Sequence, residues 1–298
     1  MKKFISLIIF CLLLLTAFAQ EIEIEKLKDM KAKDLLKFNG SISANSIFYT
    51  GNGETNREPF TYFINGMLNI RVANLIDVPL SFNLTNAGRS FNLPTTPSRI
   101  GLHPKYKSIT GHLGDVSMVF SPYTLNGYLF RGAGVDVEPK GKFNVSAMAG
   151  RLQKAAEYDS TNQIVPAAYQ RSGYGVKLTL KEEIYRLVLT VFSAKDNVNS
   201  LVFKPDSLSI FPKQNVVVSL SGAVTPQKGM EFTWEYANSA LTNDLRDTFN
   251  VVSSGKKLLG GLVNRNNSTS FFKALKTNLN YKYKNSTIGL GYERIDPI

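Results

Sequence analysis

The sequence predicts an all-β fold, an antiparallel up-and-down transmembrane β-barrel with about twelve strands. Three observations lead to this prediction: long segments that alternate apolar and polar residues, an N-terminal export signal, and connections of mixed short and long length. The segment Phe60 to Val72 illustrates the first, because its even positions are all apolar or small and its odd positions are mostly polar. At roughly 3.3 Å per residue it reaches about 40 Å, whereas a membrane-spanning strand needs only about 9 to 11 residues.

The same two-residue period recurs along the rest of the chain, as in Met230 to Tyr236, where aromatic and apolar residues alternate with Glu231, Thr233 and Glu235. Side chains of a strand point alternately to opposite faces, so each segment has one apolar and one polar face. In chain order the predicted strands are Phe38 to Tyr49, Phe60 to Val72, Val78 to Asn86, Tyr106 to Ser117, Phe130 to Glu138, Lys142 to Leu152, Ser172 to Lys181, Tyr185 to Ala194, Asn215 to Val224, Met230 to Asn238, Phe272 to Tyr283 and Thr287 to Ile295.

The first residues have the pattern of a secretory signal peptide. Lys2 and Lys3 precede an apolar stretch from Ile5 to Leu15, and Ala17-Phe18-Ala19 is a small-residue cleavage site. The apolar stretch is shorter than the roughly 20 residues of a spanning helix, which disfavours an N-terminal membrane anchor. We therefore divide the chain into a signal peptide (1–19), a charged periplasmic lead-in (20–37) and an outer-membrane β-barrel (38–298).

Composition narrows the chemistry of the mature chain. Its only cysteine, Cys11, lies in the signal peptide, so disulfides and cysteine-bound metals are excluded from the mature protein. The formal net charge of +12 falls to about +10 without Lys2 and Lys3. Basic proteins often bind nucleic acid, but export argues against it, and we expect outer-membrane lipid and small anionic solutes as partners instead.

The connections predict which strand ends share a rim. Short links such as Pro139 to Gly141 are interspersed with long ones such as Gln153 to Arg171, and outer-membrane barrels place short turns at one rim and long loops at the other. This alternation breaks once, around Met118 to Leu129, which indicates a miscounted strand or an unusually long turn. The sequence stops at Ile298 directly after a strand with no closing aromatic residue, and we expect a C-terminal truncation.

A resemblance is found in HLGDVSMVFSPYTLNGYLFRGAGVDVEPKGKFNVSAMAGRLQKA, from His112 to Ala155. This segment resembles uncharacterised gram-negative outer-membrane β-barrel (porin-like) proteins that carry similar SPYTLNG and RGAGV stretches. The resemblance extends loosely over Phe38 to Ile298. It implies a barrel in the outer membrane and, because that group has no assigned activity, it transfers no catalytic residue.

Catalytic and metal chemistry have little support in the sequence. The two histidines are His103, expected at the surface of a long loop, and His112, expected on the inner face. A barrel hydrolase using His112 with Asp115, Ser117 or Ser121 is an alternative with weak support, because serine and aspartate are common. We predict no enzyme, no cofactor and no metal site.

The leading hypothesis is a porin-like channel or a structural surface barrel, with a secreted β-sandwich binding module as the alternative. In a barrel, the polar phase faces the interior, and the predicted lumen-facing residues are Arg71, Lys177, Lys181, Glu231 and Glu235. Aromatic rings near strand ends favour the headgroup depth of a bilayer. The predicted girdle consists of Tyr49, Tyr62, Trp234, Tyr236, Tyr283 and Tyr292.

Overall fold

A computed structural model describes residues 35–51, 58–88, 93–95, 97–160, 166–202, 209–247, 262–263 and 265–297. The predicted signal peptide and most of the predicted lead-in lie outside these residues. Within them there is no helix long and apolar enough to cross a membrane. The strands are β1 (Leu36–Phe48), β2 (Phe60–Val72), β3 (Ile76–Thr85), β4 (Arg99–Leu102), β5 (Lys105–Tyr106), β6 (Ile109–Val119), β7 (Asn126–Val137), β8 (Phe143–Gln153), β9 (Arg171–Lys181), β10 (Tyr185–Asp196), β11 (Gln214–Gln227), β12 (Met230–Thr242), β13 (Thr269–Tyr283) and β14 (Ser286–Ile295).

These strands form one antiparallel sheet in which each strand pairs with its neighbours in the chain, except that β4 and β5 do not pair with each other. The predicted all-β, antiparallel up-and-down class is thereby confirmed, with fourteen strands in place of about twelve, in a sheet whose first and last strands do not pair with each other. All twelve predicted strands are present, and β1 begins two residues earlier than expected, inside the predicted lead-in. The two additional strands, β4 and β5, are short.

β4 and β5 together occupy a single position in the sheet. Both pair with β3 on one side and with β6 on the other, so they are two halves of one interrupted strand. The interruption falls at His103 and Pro104, where proline has no amide hydrogen to give to a strand ladder. The backbone stays connected to its neighbours there, because His103 N donates to Pro79 O (2.8 Å) and Gly111 N donates to Pro104 O (2.7 Å).

This missed strand explains why the alternation of short and long connections was expected to break. With β4 and β5 counted as one strand, every second connection is short, from Ala73–Leu75 through to residues 284–285, and the others are longer. The β2–β3 turn is tight because Ala73 and Asn74 both have φ of 52°, the left-handed pair of a type I′ hairpin. We refer below to the short-turn rim and the long-loop rim.

The two faces of the sheet differ in composition, as the two-residue period predicts. One face carries most of the exposed large apolar side chains, for example Leu178, Leu189 and Leu220, which lie in register on β9, β10 and β11. The opposite face curls around an interior, since side chains from strands as far apart as β8 and β13 line one cavity. At about 4.8 Å per strand step, a flat sheet would hold those two strands about 24 Å apart.

Candidate functional site: an interior cavity beside an inward-folded loop

The connection between β6 and β7, Phe120–Leu125, folds into the interior from the long-loop rim. It closes on itself, because Phe120 N donates to Leu125 O (2.7 Å) and the hydroxyls of Ser121 and Thr124 are 2.8 Å apart. Phe120, Ser121 and Leu125 are all buried. The stretch where the sequence alternation was expected to break is therefore an inward-folded loop, and the break itself came from the missed strand formed by β4 and β5. We call Phe120–Leu125 the inner loop.

The inner loop rests on an apolar patch of the interior face. Its two apolar ends join a buried cluster contributed by β6, β7, β8 and β10. The cluster consists of Val116, Met118, Phe120, Leu125, Phe130, Met148, Leu152 and Phe192. We expected the polar phase to face the interior, but in this part of the sheet the interior is filled by apolar side chains.

A row of glycines makes room for this packing. Gly101, Gly114, Gly132, Gly150 and Gly173 are in register across five neighbouring strands. A side chain at Gly150 would lie 2.7 Å from the Phe130 ring, and one at Gly173 would lie 2.8 Å from Leu152. The glycines thus allow large side chains of the apolar cluster to lie flat against the sheet.

The tip of the inner loop reaches the far side of the interior. Tyr123 packs against a second buried cluster, Val217, Ala237 and Ala274, on β11, β12 and β13. Its hydroxyl donates a hydrogen bond to Glu293 on β14. Partial burial of the phenol and its bond to a carboxylate raise the pKa of Tyr123 well above the usual value, so the ring remains a neutral donor. The loop therefore bridges the interior from β6 and β7 to β14.

Between the inner loop and the short-turn rim lies a cavity of about 500 Å³. Its wall combines four basic side chains, Lys177, Lys181, Arg186 and Lys276, with two acidic ones, Glu138 and Glu235. The remaining polar lining includes Asn144, Ser146, Thr179, Ser221, Thr233 and Asn278. An excess of fixed positive charge in a confined space favours anions over cations.

Two cavity residues are held in place by contacts that the sequence does not reveal. Lys177 Nζ donates to the carbonyl of Val119 (3.0 Å) at the base of the inner loop and lies 5.7 Å from the centre of the Phe120 ring. Glu235 is buried and accepts a hydrogen bond from Ser219 Oγ (3.0 Å). Lys177 therefore links the cavity wall to the loop that covers it.

The five residues predicted to face the lumen lie on one face but do not form one site. Lys177, Lys181 and Glu235 line the cavity. Arg71 lies near the short-turn rim of β2, where its Nε is 2.6 Å from Asp77 Oδ1, and it is not part of the cavity wall. Glu231 is exposed near the start of β12.

Sequence reasoning missed Arg186 and underestimated Lys276 as cavity residues. Arg186 is the second residue of β10, where its phase mixes Thr190 with the apolar Val188 and Phe192, so the alternation is weak. Only the register, which pairs Arg186 with Lys181, places it on the interior side. Lys276 was not among the predicted lumen-facing residues, but it lies in the cavity wall, and its Nζ is 3.5 Å from Glu293 Oε2.

The predicted girdle residues occupy different depths. Tyr49 follows β1 directly, Tyr62 is the third residue of β2, and Tyr283 ends β13, so these three are at strand ends. Trp234 and Tyr236 lie closer to the middle of β12, and Tyr292 is the seventh residue of β14. Trp234 shares the outer face with Phe232 and covers Gly222, since a side chain there would meet the indole at 2.7 Å. The girdle itself stays a prediction.

The histidines have different partners from those expected. His103 is half-buried, and its Nδ1 lies 2.9 Å from Nδ1 of His112, whose Nε2 lies 2.8 Å from Asp136 Oδ2. Asp115 instead forms a two-pronged ion pair with Arg131 (2.7 and 2.8 Å). The expectation of a surface His103 was therefore wrong, because the interrupted strand carries it into the sheet.

The serines considered for a hydrolase are not next to His112 either. Ser117 is exposed on the other face of β6, and Ser121 bonds to Thr124 within the inner loop. Across the described parts of the chain, no group of three or more His, Cys, Asp or Glu side chains is arranged to hold a metal ion. Neither Ser117 nor Ser121 is therefore placed to act as a nucleophile with His112.

Comparison with known proteins gives matches to solved structures alone. No protein family matches the sequence, and no curated protein matches it either. A structural likeness is found to Pseudomonas aeruginosa OccK8 (OprE), with a TM-score of 0.40 and 11% identity, over 87% of this chain and 67% of that one. Another is found to Pseudomonas aeruginosa OccK3 (OpdO), with a TM-score of 0.29 and 12% identity, over 88% of this chain and 92% of that one.

Proposed function

We propose that this chain is an outer-membrane β-barrel that conducts small anionic solutes through an interior narrowed by the inner loop. The observation that carries the proposal is the cavity of about 500 Å³ with four basic and two acidic side chains, enclosed by a sheet whose other face is apolar. A secreted β-sandwich would bury its apolar faces against each other, whereas here they remain exposed on the outside of the curl.

Membrane insertion is supported by the length and polarity of the strands. Most have 10 to 15 residues, which at about 3.3 Å each is enough to cross a bilayer at a tilt. Their outer side chains include leucines, isoleucines and aromatic residues at 36 to 77% exposure. In water, such a continuous apolar surface would cause the protein to aggregate, whereas in a bilayer it is in contact with the lipid acyl chains.

Narrow conduction is supported by the inner loop. The loop spans the interior from β6 and β7 to β14, so a solute has to pass the cavity wall on one side of it. There Lys177, Lys181 and Arg186 lie on the adjacent strands β9 and β10. Basic side chains at a constriction replace part of the hydration of an anion and repel cations.

Two experiments test the proposal in sequence. Heat-modifiable mobility on a gel and fractionation with outer membranes would support the barrel, whereas recovery in the soluble fraction would contradict it. Purified, folded protein in planar bilayers then decides between a channel and a closed scaffold. We expect small, anion-selective conductance steps, and a complete lack of conductance from folded protein would refute the channel.

A further inference from the structure

The two edge strands of the sheet run in the same direction. β4 and β5 share one position, so the described sheet has thirteen positions from β1 to β14. Every neighbouring pair is antiparallel, and the first and thirteenth positions of such a series are therefore parallel to each other. Direct closure of β14 on β1 would introduce one parallel pair into a sheet that is otherwise entirely antiparallel.

From this parity, we infer that the edges of β1 and β14 bind an odd number of further strands, one in the simplest case, antiparallel to both. The inference rests on the proposed membrane location and is independent of any pore. Backbone amides and carbonyls at an open sheet edge have no partner in hydrocarbon, so a sheet in lipid must close.

The exposure of the side chains on β1 and β14 supports a further strand beside each of these edges. Every residue of β1 and of β14 is exposed, including those on the interior face. Outward residues of the central strands, such as Leu178 (41%) and Leu189 (42%), are partly covered by flanking side chains, whereas Ile42 on β1 and Leu290 on β14 are each 74% exposed. In the centre of the sheet, side chains on the neighbouring strands lie about 5 Å away and cover part of each residue, which accounts for its lower exposure.

A second copy of the chain does not satisfy the edges. In the same membrane orientation, β14 of one copy would meet β1 of the other, and those two strands are also parallel. The partner that fits is an extended amphipathic segment of about ten or more residues. Its outward residues have to be apolar, because Phe38 and Ile42 on β1 and Ile288 and Leu290 on β14 flank them on the outer face.

Disulfide cross-linking tests the inference on the full chain, since Cys11 in the predicted signal peptide is its only cysteine. Ser43→Cys on β1 is combined in turn with Gly289→Cys, Gly291→Cys and Glu293→Cys on β14, in isolated outer membranes. Asn278→Cys with Gly291→Cys is the matched control, because these residues face each other across β13 and β14. We expect the control to form a disulfide and the β1–β14 pairs to form none, because an intervening strand holds the edges about 10 Å apart.

A disulfide within one chain between β1 and β14 would show direct closure and overturn the inference. A disulfide-linked dimer would overturn it in favour of a second copy. Hydrogen exchange on the membrane-embedded protein supplies the positive result: alternate β14 amides that point away from β13 should be as protected as those of β10. Free exchange at those amides would also overturn it. Recovery in the soluble fraction, by contrast, would contradict the proposed membrane location.

Discussion

Reversing the charge of Lys181 is expected to weaken the anion preference of the cavity. Lys181 ends β9 at the cavity wall, beside Arg186 on β10. Lys181→Glu changes the fixed charge of the wall from four basic and two acidic groups to three of each. In water, the interaction energy between a unit charge and a monovalent ion about 6 Å away is about 0.7 kcal/mol. Changing the charge by two units therefore alters the energy of one ion in the cavity by about 1.4 kcal/mol, which is roughly tenfold in its occupancy.

The assay is the reversal potential of single channels in a potassium chloride gradient. We expect chloride permeability to fall and potassium permeability to rise by up to about tenfold each in Lys181→Glu, so that their ratio falls by up to about a hundredfold. The effect should be smaller at high salt, because salt screens the charge. Lys228→Glu is the matched control, since it makes the same charge change in the β11–β12 turn outside the cavity wall. An unchanged ratio in Lys181→Glu, or an equal effect of Lys228→Glu, would refute the argument that the cavity sets selectivity.

Three further changes test the inner loop, one ion pair and one loop carboxylate. Tyr123→Phe removes the hydrogen bond to Glu293 but keeps the ring, and we expect larger or noisier conductance steps; unaltered traces would mean that the anchor does not hold the loop. Asp196→Asn breaks the two-pronged ion pair of this buried carboxylate with Arg171 (2.7 and 2.9 Å), and the free energy of unfolding in urea should fall by about 2–3 kcal/mol. Glu182→Gln at the short-turn rim is the control and should leave that free energy unchanged. The pKa of Asp244, in the loop after β12, is lowered, because burial raises it but hydrogen bonds from Arg246 lower it by more. The stabilisation by this carboxylate is therefore present above the usual aspartate pKa and is lost as the pH falls through the lowered value. The stability difference between wild type and Asp244→Asn should therefore shrink on acidification, and a difference that is constant with pH would contradict this assignment.

The strands were predictable where one phase of the sequence is apolar and the other polar. β2 and β9 are such cases, and the structure gives β2 the predicted bounds and extends β9 by one residue. The strand formed by β4 and β5 was missed because Pro104 falls in its middle and divides it into pieces of four and two residues. Pairing with β3 and β6 on both sides keeps those pieces in the sheet, and such tertiary support has no local sequence signal.

The candidate site was only partly predictable. Lys177, Lys181 and Glu235 could be found because they lie in the polar phase of well-alternating strands. Arg186 was harder to find, because its phase of β10 mixes polar residues with Val188 and Phe192. The inner loop could not be found, because its inward path depends on the glycine row and the apolar cluster beneath it. Both depend on register between strands that are far apart in the chain.

The outward position of Trp234 provides the most direct test of the central claim that the apolar face contacts lipid. It is the only tryptophan of the chain, so its fluorescence reports one place on the outer face of β12. In vesicles made with lipids brominated on their acyl chains, we expect strong quenching of this fluorescence and little quenching by aqueous iodide. Quenching by iodide without quenching by the brominated lipid would place Trp234 in water and contradict the account.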